Sequence, residues 1–107
     1  MKFTIRKEME ILELEVDPKL LREAEGFFQK MDIDMDQGCR MGPEFVSNPN
    51  ALERAQMVAQ KLMMAMEGDN QMLLQMMVGY ILVRHPTCHG VVLHDTGDPK
   101  NHELVME

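Results

Sequence analysis

The segment 70–84 constrains this chain more than any other, because as a helix it is apolar almost all the way round. Gln71, Gln75 and Gly79 form its only less apolar stripe, so neighbours must cover it on several sides. The longest apolar stretch is too short to cross a bilayer: it runs from 72 to 83, about twelve residues broken by Gln75, where a span needs roughly 20. The segment therefore reads as a central, buried helix. Asp69 caps its start, and His85-Pro86 stops it.

Immediately before it lies a second helical pattern, 51–67. Asn50 with Glu53 gives a capping-box start, and Gly68 ends it. The very short connection makes the two helices an antiparallel hairpin. A third helix is expected over 18–31, opened by Asp17-Pro18, with Leu20, Ala24, Phe27, Phe28 and Met31 as its core stripe. It should stop near Asp32, leaving 33–50 irregular except for one turn around Glu44-Phe45.

Strand patterns occupy the two ends. From 3 to 16 apolar and polar residues alternate, but Phe3, Ile5, Met9 and Ile11 are on odd positions and Leu12, Leu14 and Val16 on even ones. Either a bulge shifts the phase or two short strands meet near Lys7. At the other end, 90–95 and 102–106 read as a β-hairpin that brings His94 and His102 together near its turn. The expected fold is α+β: three main helices including a central hairpin, with a small antiparallel or mixed sheet. A length of 107 residues suits a single globular domain over 1–107.

Charge narrows the function. Eleven basic against eighteen acidic residues give a net charge of -7 with no dense basic cluster, which disfavours nucleic acid and anionic membrane surfaces. The start of the chain runs into glutamates where a signal peptide needs an apolar stretch, so a soluble, cytoplasmic protein is expected. Cys39 and Cys88 are far apart and carry no CxxC spacing, so they are read as reduced.

Seven of the thirteen methionines fall between Met57 and Met77. Met63, Met66, Met72, Met76 and Met77 are assigned to the core. In the 51–67 helix, Ala51, Leu52, Ala55, Ala59, Leu62, Met63 and Met66 gather on one side, whereas Met57 and Met64 fall nearly opposite. Flexible thioether side chains suit a re-packable contact surface. Met57 and Met64, or the Gln71-Gln75-Gly79 stripe, are therefore the expected contact with a second copy or another protein. The leading reading is a non-catalytic binding or adaptor protein acting as a homodimer, with no cofactor required.

Two other classes compete with it. Asp32, Asp34 and Asp36 followed by Gly38 and Glu44 resemble an EF-hand calcium loop with one residue inserted at Gln37, which delays both the glycine and the closing glutamate. The resemblance implies alternate aspartates wrapping a calcium ion. His85, Cys88 and His89 are acceptable ligands for zinc or copper. Met57 and Met64 lie two helical turns apart, about 10.5 Å, and cannot by themselves chelate one copper ion. The remaining class is a thiol enzyme or redox carrier in which Arg40 lowers the pKa of Cys39. No nucleophile elbow, phosphate loop or HExxH motif points to an enzyme.

Overall fold

The computed structural model describes residues 1–106. The chain runs β1 (Lys2–Lys7), β2 (Glu10–Glu15), α1 (Pro18–Glu23), α2 (Glu25–Asp36), β3 (Cys39–Met41), β4 (Glu44–Val46), α3 (Ala51–Glu67), α4 (Gln71–Arg84), β5 (Cys88–Leu93), a 3₁₀ turn Pro99–Asn101, and β6 (Glu103–Met106). It is an α+β fold. The main sheet is mixed, in the order β2-β1-β5-β6, with β1 and β5 parallel and both outer pairs antiparallel.

The phase shift at the N-terminus comes from two strands rather than a bulge. Lys7 pairs with Glu10 across a two-residue loop in which Glu8 takes φ 56°. Phe3 and Ile5 on β1 and Val91 and Leu93 on β5 are buried beneath the helices. The edge strand β2 is only partly covered, leaving Ile11 and Leu12 exposed.

Both halves of the helical hairpin form as their caps dictate. Asn50 and Glu53 make a reciprocal capping box at 2.8 and 2.9 Å, and Asn70, rather than Asp69, caps α4 by accepting from the Leu73 N–H at 3.1 Å. Asp69 takes φ 53° in the connection. Leu74, Met77, Val78, Tyr80, Ile81 and Leu82 of α4 are all buried, as a helix apolar all round requires.

The first helical region departs from expectation. It breaks at Ala24 into α1 and α2, and α2 continues through Asp36 instead of stopping near Asp32. Ion pairs from Asp32 and Asp36 to Arg54 on α3 hold this extra turn. Between α2 and α3, the stretch expected to be irregular contains the β3–β4 hairpin, with Gly38 and Gly42 at positive φ on either side of β3.

Several positions assigned to the core are not in it. Phe27 is 44% exposed beside an open groove on the helical side, and Leu52, in the first turn of α3, is 50% exposed.

Candidate functional site

The methionines divide differently from the helical-wheel assignment. Met64 is 61% exposed, but Met57 is half-buried and packed on the core. Met63 and Met77 are buried, Met66 and Met76 are half-buried against the core, and Met72 is 69% exposed instead of internal. Met64 and Met72 occupy the last turn of α3 and the first turn of α4.

The Gln71-Gln75-Gly79 stripe is not one surface. Gln71 is exposed, Gln75 half-buried and Gly79 buried. A Cβ on Gly79 would stand 2.9 Å from Phe28 Cζ and 3.1 Å from Leu21 Cδ2, so glycine here lets α1 and α2 approach α4. Its role is packing between helices of one chain.

A groove of about 230 Å³ opens on the helical side, between α2 and the α3–α4 hairpin. Met31, Leu73 and Met77 supply its apolar lining, and the exposed ring of Phe27 forms a wall. Three exposed charged residues, Lys30, Asp34 and Lys61, line it as well. Hydrophobic periodicity could not reveal this groove, since it lies between elements distant in sequence and depends on where α2 ends.

Beside it, α2, α3 and α4 are clamped by charge. Asp32 accepts from the Tyr80 hydroxyl, from Arg84 Nε at 2.9 Å and from Arg54 Nη1 at 3.4 Å. Arg84 also binds Glu25 at 3.0 Å and stacks 5.3 Å from the centre of the Tyr80 ring, while Arg54 binds Asp36 at 2.5 Å. Burial pushes the Asp32 carboxyl up, but donation by Tyr80, Arg84 and Arg54 outweighs it and holds the group below the usual range. Burial, followed by the bond to Asp32, pushes the Tyr80 hydroxyl well above its usual value.

The residues of the calcium-like segment are thus dispersed. Asp32 and Asp36 face Arg54, Asp34 belongs to the groove, and Glu44 pairs with Lys100 at 2.7 Å. All three aspartates lie on a helix, where alternate side chains diverge instead of wrapping a common point.

The His85/Cys88/His89 trio also separates. His85 Nε2 lies 3.3 Å from the Ala51 carbonyl, Cys88 is buried with its thiol donating to the Gly90 carbonyl, and His89 is exposed. Among the described residues, no group of three or more His, Cys, Asp or Glu side chains could hold a metal ion. At Cys39, burial and then the charge of Glu53 push the thiol pKa up, against weaker pulls from Arg54 and Lys61. That is opposite to the effect expected from Arg40, and opposite to what an activated thiol needs.

His94 and His102 do meet. The His94 backbone N–H donates to His102 Nδ1 at 3.1 Å, which leaves His102 Nε2 to donate to Gln60 Oε1 at 2.7 Å. Gln56 donates to the carbonyls of Lys100 and His102 at 3.0 and 3.2 Å, so two glutamines of α3 anchor the final turn and β6.

No family model matches this chain, and no match was found among the curated proteins or the solved structures.

Proposed function

We propose that this chain is a small non-catalytic binding protein that works as a homodimer, with the methionine-bearing helical face as its contact surface. The open groove lined by Met31, Leu73 and Met77 beside exposed Phe27 carries the reading. Apolar lining left open to water favours a covering partner, and methionine adapts to an irregular one at low cost in strain. Exposed Met64 and Met72 at the hairpin end add apolar area to the same helical pair.

The charges favour a second copy as the occupant. Lys30 and Lys61 stand with Asp34 around one groove, so a two-fold contact can set a cation of one copy against the carboxylate of the other. A basic or acidic partner would satisfy only part of that rim. The metal and thiol readings draw less support, because Asp32, Asp36 and Glu44 are already engaged by cations and burial pushes the Cys39 thiol pKa up.

Size-exclusion chromatography with light scattering tests the proposal. The wild type should show dimer mass, with Phe27→Asp and the double variant Met64→Lys/Met72→Lys shifted to monomer at unchanged circular dichroism. A wild type that stays monomeric at high micromolar concentration would overturn it.

A further inference from the structure

On the sheet face turned away from the helices, β1 presents Lys2, Thr4 and Arg6 in alternation. Across that face Thr4 pairs with Gly90, and Gly90 with Val105, so one cross-strand row has no side chain at its centre. The face sinks there into a dent of about 130 Å³, lined by Thr4, Arg6, His89, Gly90, Val91 and Val105. Gly90 is required by the strands themselves, since a Cβ would lie 2.6 Å from the Thr4 carbonyl oxygen. His89 reaches the dent through a register shift: Cys88 pairs with Met106 and Gly90 with Val105, leaving His89 as the extra residue.

The donors around this dent are not engaged by carboxylates of the described residues. Arg54 and Arg84 are tied to acidic side chains, whereas Arg6 has Ile11 and Val92 as its cross-strand neighbours. Glu13 and Glu15 stand on β2, on the far side of β1 from Gly90, opposite Thr4 and Lys2. Glu103 on β6 is bound by His94 at 3.0 Å. A guanidinium, a hydroxyl and an imidazole therefore surround a concavity with an apolar wall at Val105, on a chain whose net charge is -7.

We infer that this dent binds a small oxyanion, the phosphate or carboxylate group of a ligand. Arg6 supplies the charge-assisted donors, Thr4 a hydroxyl and His89 a further ring N–H, while Val105 packs against the adjoining carbon skeleton. The dent and the helical groove lie on opposite sides of the sheet, so this site is independent of the proposed dimer contact.

Titration of the ¹⁵N-labelled full chain with sodium phosphate and with sodium acetate, at constant ionic strength set with chloride, tests the inference. Saturable shifts are expected at the Thr4 and Gly90 amides. Arg6→Gln should weaken the saturating anion about tenfold, the loss of one charge-assisted interaction, and Arg22→Gln on α1 should leave it unchanged. Saturation by phosphate alone assigns a phosphorylated ligand, and saturation by both assigns a general oxyanion site. No saturable shift at these amides, or equal weakening by Arg6→Gln and Arg22→Gln, would overturn it.

Discussion

The Tyr80 hydroxyl donates to the Asp32 carboxylate, linking the middle of the most buried helix to α2 at the point where local sequence signals end that helix. Asp32 has two further donors, Arg84 and Arg54, so one carboxylate ties three helices together. Tyr80→Phe removes a donor and leaves the arginines in place, at an expected cost of about 1–2 kcal/mol. Asp32→Ala leaves Tyr80 and both arginines short of an acceptor. Its expected cost is about 2–3 kcal/mol, below that of a fully buried pair because the Asp32 side chain keeps 27% of its exposure. Urea denaturation of the two variants checks the order, and equal losses would refute the shared-acceptor role.

The same carboxylate makes stability depend on acid. The folded pKa of Asp32 lies below its ordinary value, so the unfolded chain takes up the proton first as pH falls. Its contribution is complete above about pH 3.9, the unfolded value, and is lost as pH drops through the folded one. Asp32→Asn should flatten that limb of the stability profile. An unchanged profile below pH 4 would show that other carboxylates dominate there.

His102 acts in the opposite part of the scale. Burial, and then the nearby His94, hold its pKa below the ordinary value, despite weaker opposing pulls from Asp95 and Asp98. Its Nδ1 is an acceptor in the fold, so protonation breaks the bond from the His94 N–H. The unfolded chain binds the proton more readily, and stability is lost as pH falls below about 6.5. The slope has a ceiling of about 1.4 kcal/mol per pH unit, the linkage limit for one proton. His102→Gln should reduce this slope below about pH 6.5, measured by denaturant midpoints. Retention of the slope would assign it to another group.

How far each element is legible in the sequence follows from the range of the interactions that fix it. The α3 boundaries are legible because Asn50, Glu53 and Gly68 act on the nearest turn of backbone. The N-terminal hairpin is ambiguous because Glu8-Met9 lacks the Asn-Gly or Gly signature of a two-residue turn, although Glu8 takes the positive φ. The end of α2 is hidden because Arg54, eighteen residues from Asp36, holds the last turn, and no local signal reports a partner that far away. Of the candidate contact surface, Met64 is legible from the helical wheel. Met72 is not, because periodicity in an all-apolar helix cannot identify which apolar side chain is left uncovered.

Two glycines should answer the same substitution with opposite signs. Gly26, in the first turn of α2, has open space for 4 Å around the point a Cβ would occupy and no positive φ, so Gly26→Ala should stabilise by about 0.5–1 kcal/mol through backbone entropy. Gly79→Ala gains the same propensity but drives a methyl group against Phe28 Cζ and Leu21 Cδ2 in a buried contact. Overpacking of this kind costs about 1–3 kcal/mol, so the net effect should be destabilising. Thermal unfolding of both variants is the measurement. A stabilised Gly79→Ala protein would mean that α1 and α2 can move away from α4 freely.

Methionine oxidation separates the surface population from the internal one without any substitution. Sulfoxide formation follows access, and it converts an apolar chain into a polar one. Met64 and Met72, both well exposed on the monomer, should react early with dilute peroxide, while buried Met63 and Met77 should react only on unfolding. Peptide mass mapping over time gives the order directly. Because the proposed dimer covers the helical face, dilution to the monomeric range should speed reaction at Met64 and Met72 but leave exposed Met9, on the β1–β2 loop, unchanged. Concentration-independent rates at Met64 and Met72 would exclude them from a dimer contact. Met57→Lys supplies the complementary check: its half-buried side chain packs on the core, so this change should destabilise the fold, whereas Met64→Lys, compared with the wild type at monomeric dilution, should alter stability by no more than about 0.5 kcal/mol.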